Sequence, residues 1–194
     1  MRLLKRNLRQ CQINGIIYKT RGYSLVMTRT ADLLRRLSKE GVLVPQEVKK
    51  AMLNVDLEDF TDYDAAPFFA DRPVPYIESA SGNIKTISAP HMIITLLHHM
   101  ELSKGQEIII VGCKGGYLAA LIAQIVGENG RVNVLDPSYE VVNHAKERLS
   151  HWPTVDIRNI EDLDIAPVAF PGEFNRVIIT GQIKAIPKWI KSRI

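Results

Sequence analysis

At 194 residues the chain is long enough for one domain with a sizeable core and a small appendage. Hydrophobic residues make up 46% and charged residues 24%, an ordinary globular balance, and no apolar stretch reaches the roughly 18 residues of a membrane span. The net charge of +4 is uneven: Arg2, Lys5, Arg6, Arg9, Lys19 and Arg21 fall within residues 1–26 without an acid, so the remainder is net acidic.

Residues 1–26 therefore read as a basic extension, either a solvated arm or a contact for nucleic acid or another acidic surface. The segment lacks the continuous apolar run of a secretion signal. Cys11 and Cys113 have no metal-ligand spacing. They suit a reducing cytoplasm, and no metal site is expected. Met27 opens "MTRTADLLRRL", where Thr28 or Thr30 is expected to cap a helix buried through Leu33, Leu34 and Leu37. Gly41 would end it. "VPQEVKKAMLNV" predicts a second helix with Val48, Met52 and Val55 on one face. Residues 56–86 are irregular, but their Pro and aromatic content is too apolar for a free linker. An ordered cover is expected there, so 27–85 form a helical lead-in.

The core would follow over residues 86–194. Ser88 is placed to cap a helix with Pro90 in its first turn and Met92, Leu96 and Met100 down one face. "KGQEIIIVG" predicts a buried strand and "GGYLAALIAQIVG" a helix. "GRVNVLD" is a second strand. "SYEVVNHAKERLS" is a second helix, capped by Ser138 and buried through Val141, Ala145 and Leu149. "VDIRNI" and "NRVIIT" complete four strands. Strands alternating with helices imply a doubly wound α/β domain with a parallel sheet.

Two features suggest a bound nucleoside. The turn after the first strand, "VGCKGGY", carries three glycines, which let backbone approach a ligand at the strand's C-terminal end. It lacks the ending of a phosphate loop, and its spacing is not that of a dinucleotide fingerprint. Asp136 ends the second strand, where an acid can accept hydrogen bonds from both ribose hydroxyls. A plain structural turn and a plain turn aspartate remain open alternatives for the two features.

"TISAPHM" (86–92), the loop ending "GGYLAALIAQIVG" and "RVIITGQIKAIP" (176–187), in that order, resemble the protein-L-isoaspartate O-methyltransferase family from about Asp32 to Pro187. The resemblance implies a Rossmann-like fold binding S-adenosylmethionine. It implies methyl transfer to the carboxylate of L-isoaspartyl residues in damaged proteins, which are then its partners. It assigns Thr86, Ser88 and His91 to the catalytic site. Gly112, Gly116, Tyr117 and Asp136 would contact the cofactor, with Glu161 or Asp162 on its adenine side.

Two departures fall on the loop. Ile110 stands at the family's loop-facing acid, and Lys114 at its second glycine, where its side chain would bear on cofactor binding. They define an alternative: a relative that keeps the fold without catalysis, serving as a binding or assembly module. A third reading turns the fold to another substrate, with RNA met by the basic arm. The family continues with further strands after "IP". Without them the fourth strand is an open edge, so a homo-oligomer, or a C-terminal segment that covers the edge, is expected.

Overall fold

The computed structural model describes residues 10–13, 16–19, 23–167, 170 and 172–193. Arg2, Lys5, Arg6, Arg9 and Arg21 lie outside the described residues, and with them the expected nucleic-acid contact. Gln10–Ile13 (β1) and Ile16–Lys19 (β2) pair as an antiparallel hairpin. The first helix runs from Tyr23 to Lys39 (α1), so Thr28 and Thr30 are interior and do not cap it. Its start lies upstream because Tyr23–Val26 carry no helix breaker. Leu33, Leu34 and Leu37 are buried as expected. Gln46–Asn54 (α2) follows, with Val48 and Met52 buried and Val55 buried just after it.

The expected cover is ordered by aromatic packing. A 3-10 turn at Leu57–Phe60 and a short helix, Ala66–Phe69 (α3), bury Phe60 and Phe68. Both rings pack edge-on against Tyr117, with centroids 5.5 and 5.6 Å away, the geometry that aromatic quadrupoles favour. The irregular reading of 56–86 is corrected here: Val74–Glu78 (β3) and Ile84–Ile87 (β4) form a second antiparallel hairpin.

Pro90–Met100 (α4) leads to the sheet. Here the expected face is corrected: Pro90, Ile93, Ile94, Leu97 and Met100 are buried, whereas Met92 and Leu96 are exposed. The stretch is apolar on two sides, so periodicity alone does not choose which side faces the core. The capping expectation for Ser88 is also corrected. Ala89 occupies the N-cap without a side-chain hydrogen bond. The Asp71 carboxylate does the work instead, accepting the His91 amide at 3.0 Å.

Glu107–Val111 (β5), Arg131–Asp136 (β6), Val155–Asn159 (β7) and Arg176–Ile179 (β8) form a parallel sheet in the order β7-β6-β5-β8. Tyr117–Val126 (α5) and Tyr139–Arg148 (α6) connect the first three strands. Lys188–Lys191 (α7) follows β8. Alternate residues divide the core. Ile108, Ile110, Val132, Val134 and Ile178 pack with α4, α5, α6 and the lead-in. Ile109, Val111 and Leu135 pack on the other face with Phe174, Trp189 and Ile190. Because α2 packs on the outer side of α5, that helix is buried nearly all round, which its sequence anticipates. Ser138 sits at the N-cap of α6 but makes no side-chain cap. Among the described residues β8 pairs only with β5 and so forms one edge of the sheet. No helix among them is long and apolar enough to cross a membrane.

The α6 residue His144 ties the lead-in to this core. Its Nε2 donates to the Phe60 carbonyl at 3.2 Å, and its ring lies 5.2 Å from that of Tyr76. Burial holds the imidazole below the usual histidine range. The Arg148 guanidinium adds to this, against the Phe60 carbonyl and the Asp62 and Glu147 carboxylates. A folded-state pKa below the unfolded one means that the unfolded chain takes up the proton first as pH falls. His144's contribution to stability is therefore full above the unfolded value of about 6.5 and is lost as pH falls through it. We expect urea midpoints to fall as pH drops below about 6.5, with His144→Gln, which keeps a donor for Phe60, flattening that segment. An unchanged slope in the variant refutes the assignment.

Candidate functional site

The chain leaves β5 and crosses through α5 to β6 and β7, then returns to the far side of β5 as β8. Helices α5 and α6 lie against one face of the sheet, and α7 lies against the other. Chain reversal at β5 and β8 opens a crevice beyond their C-terminal ends, the place where parallel sheets bind ligands. A cavity of about 570 Å³ occupies it. Val111 and Gly112 line it from β5, Asp136 and Pro137 from β6, Ile160, Glu161 and Leu163 from beyond β7, and Thr180, Gly181 and Gln182 from beyond β8. The β3–β4 hairpin roofs it with Tyr76, Lys85 and Thr86.

The loop is held by backbone constraints. Gly112 adopts φ +99°, and a Cβ there would run into Thr180 Oγ1. Thr180 donates that hydroxyl to the Val111 and Gly112 carbonyls at 3.1 and 3.0 Å, locking the two strand ends together. Asp136 secures the other side. Its Oδ2 accepts the Cys113 amide and its Oδ1 the Ser138 amide, at 2.8 and 2.9 Å. Each carboxylate oxygen keeps a further lone pair for a ligand in the crevice. The Cys113 thiol beside it is buried, and burial first, then the Asp136 charge, pushes its pKa up. It stays a protonated packing group.

Lys114 is half-buried with φ +46°, a left-handed conformation that costs a residue with a Cβ about 1–2 kcal/mol. It lines the crevice and also a second cavity of about 210 Å³ next to it. Ser88 lines that second cavity, with Ile87, Met92, Ile93, Leu96 and Leu118 as apolar walls.

The expected site residues divide accordingly. Gly112, Asp136, Glu161 and Thr86 line the crevice, and Ser88 lines the adjoining cavity. Gly116 and Tyr117 do not line either one. Gly116 is packed against Leu149 and Phe60, and Tyr117 is buried between Phe60 and Phe68. The loop's second half turns into the core because α5 begins there. Asp162 also lies off the crevice, its Oδ1 accepting the Asp164 amide at 2.9 Å. His91 lines neither cavity. Its Nδ1 lies 2.8 Å from Asp71 Oδ2, so ring and backbone both bind one carboxylate. Ile110 is buried in the core, one residue before the lining begins. Thr180 and Tyr76 were not among the expected residues. Thr180 ends a strand parallel to β5, and that signal was available in "RVIIT". Tyr76 arrives through a hairpin crossing that no local pattern encodes.

An elongated nucleoside fits this crevice. Its volume is in the range of small-molecule sites, Gly112 offers bare backbone, and Asp136 and Glu161 supply acceptors.

Residues 28–190 match the sequence model of the family described as Protein-L-isoaspartate(D-aspartate) O-methyltransferase. The chain is 31% identical over 160 residues to the protein-L-isoaspartate O-methyltransferase of Ignicoccus hospitalis, covering 81% of this chain and 72% of that one. It is 32% identical over 160 residues to that of Pyrobaculum islandicum, covering 80% and 73%. A solved protein-L-isoaspartate O-methyltransferase superposes with a TM-score of 0.74 at 21% identity, over 84% of this chain. This chain spans about half, 51%, of that structure's length. A second, from Plasmodium falciparum and in complex with S-adenosyl-L-homocysteine, superposes with a TM-score of 0.67 at 22% identity, covering 87% and 79%. These two likenesses show the Rossmann-like methyltransferase fold.

The Gly112 contact yields a test. Gly112→Ala combines backbone strain with a clash and should cost about 2–5 kcal/mol of unfolding free energy. Gly41→Ala has a similar φ of +92° but open space around it, and should cost only the strain. Equal losses for the two variants in urea titrations would remove the steric role of Thr180.

Proposed function

The chain belongs to the protein-L-isoaspartate O-methyltransferase family, and from that membership we propose that it methylates the carboxylate of L-isoaspartyl residues in damaged proteins, using S-adenosyl-L-methionine. The observation that carries this is the crevice beyond β5 and β8 with a second cavity beside it, Lys114 and Thr180 lining both and an uncapped Ser88 hydroxyl lining the second. Asp136 would take the ribose hydroxyls with the lone pairs its two amide bonds leave, and Glu161 would face the adenine side. Gly112 would let the ligand rest on backbone. When bound, the donor supplies a methyl group on a sulfonium, whose leaving group is a neutral sulfide.

The protein's share of the chemistry is positioning. An isoaspartyl carboxylate is already ionised at neutral pH, so no general base is required. Ser88 donates its hydroxyl to one carboxylate oxygen, and Thr86 stands at the crevice side of the same strand end. Together they orient the nucleophile toward the methyl carbon, in line with the breaking bond. The apolar walls around Ser88 strip water from the carboxylate and strengthen that hydrogen bond. His91 acts at a distance. Its two hydrogen bonds to Asp71 fix the start of α4 and, through it, the Ser88 backbone.

Titration with S-adenosylhomocysteine tests the cofactor half. Saturable binding should raise the melting temperature with ligand concentration. Asp136→Asn should weaken it roughly tenfold or more, because one buried amide then faces an NH2 group. Absence of binding at millimolar ligand sinks the reading and leaves the fold as a binding or assembly module. Ser88→Ala should bind the ligand normally and lose most methyl transfer to an isoaspartyl peptide. Full activity in that variant would remove Ser88 from the site.

We further propose a homo-oligomer paired along the edge of β8, supported by that edge's lack of a second neighbour among the described residues. Light scattering at micromolar concentration should give a mass above 21.8 kDa, and a monomeric mass refutes it.

A further inference from the structure

We propose that Lys114 is the counter-ion for the acceptor carboxylate, an acceptor-binding residue set where the two cavities meet; this rests on the methyl-transfer reading above. Lys114 and Thr180 alone, among the described residues, line both cavities. Thr180 has spent its hydroxyl proton on the Val111 and Gly112 carbonyls. That leaves the Lys114 ammonium and the Ser88 hydroxyl as the side-chain donors of the smaller cavity. Neither is engaged in a hydrogen bond or ion pair among the described residues. The remaining walls of the smaller cavity are Ile87, Met92, Ile93, Leu96, Leu118 and Ile179. A carboxylate entering such walls sheds water and needs an ionised donor in return.

Charge order favours the acceptor over the donor molecule as Lys114's partner. An ammonium beside a sulfonium is repulsive. An ammonium behind a carboxylate that itself faces the sulfonium gives alternating signs along the line of transfer. Asp136 and Glu161 line only the crevice, whereas among the described residues Lys114 is the one charged side chain lining the smaller cavity, so that cavity is the one suited to an anion. The left-handed backbone at Lys114 is an outlier retained at this junction, as strained residues at functional sites are. The same position then couples the two cavities: an acceptor held by Lys114 is already at the mouth of the donor crevice.

The full chain carrying Lys114→Met or Lys114→Arg tests this. Every variant keeps a Cβ at the same φ, so backbone strain is common to all and cancels. Calorimetry with an isoaspartyl peptide in saturating S-adenosylhomocysteine should show roughly tenfold or greater weakening in Lys114→Met, with Lys114→Arg close to wild type. Affinity for S-adenosylhomocysteine itself should stay within about threefold. In turnover, KM for the peptide should rise while kcat moves little, and the salt dependence of KM should be shallower in Lys114→Met. Unchanged peptide affinity in Lys114→Met, or a loss confined to S-adenosylhomocysteine, overturns the assignment while leaving the methyl-transfer reading intact. A wild-type protein that binds S-adenosylhomocysteine but not the peptide overturns it as well. A wild-type protein that does not bind S-adenosylhomocysteine overturns the parent reading and this inference with it.

Discussion

The Asp136 carboxylate is the constraint on which the site depends. One oxygen receives the amide of Cys113, in the loop after β5; the other receives the amide of Ser138, at the start of α6. A single buried side chain thereby sets the separation of two loops that belong to different strands. The bonds are charge-assisted in a place with little water, where such bonds are strong and their loss expensive. The backbone reinforces the arrangement: the Gly112 amide donates to the Leu135 carbonyl at 2.7 Å, and Ile160 donates to the Asp136 carbonyl at 3.1 Å. The crevice is therefore preorganised by its own rim, and a ligand arriving there finds the acceptors already in place.

Support for that rim comes from opposite directions. On one face of the sheet, α5 is enclosed between the strands and the lead-in, and the Phe60–Tyr117–Phe68 aromatic cluster fixes its first turn. The loop cannot slide along the sheet without breaking that packing. On the other face Trp189 carries much of the cover, with its Nε1 donating to the Leu163 carbonyl at 2.8 Å and its ring against Phe170 and Phe174. Leu163 lines the crevice, so this smaller core bears directly on the ligand wall. The lead-in is thus part of the site: its hairpin supplies Tyr76, Lys85 and Thr86, and Asp71 secures the helix that follows Ser88.

The two departures from the family pattern have different structural meanings. Ile110 belongs to the core between β6 and β8, where its registered neighbours are Val134 and Ile178. Lys114 places a cation between two cavities and bears backbone strain to do so. The first position is apolar packing at the loop's base, and the second carries a charge at its crest, so the two act on different parts of the loop.

The sequence by itself determined the order of elements from α4 to β8, the parallel sheet, the buried faces of α1, α2 and α6, and the placing of Gly112 and Asp136 at strand ends. These follow from short-range periodicity, turn chemistry and strand ends, which a linear chain carries in full. "TISAPHM" was legible as a family resemblance. Its division of labour was not, since Ser88 is free only because Asp71, seventeen residues upstream, takes the helix terminus. Tertiary structure alone decided that Tyr117 serves the core, that Met92 and Leu96 border a cavity, and that Thr180 braces Gly112. Each depends on which of two chemically similar faces meets a distant segment, and local pattern is degenerate on that point. The lysine in the glycine turn is the sharpest case: its identity is in the sequence, but its position between two cavities exists only once β4, α4 and β8 converge on the loop.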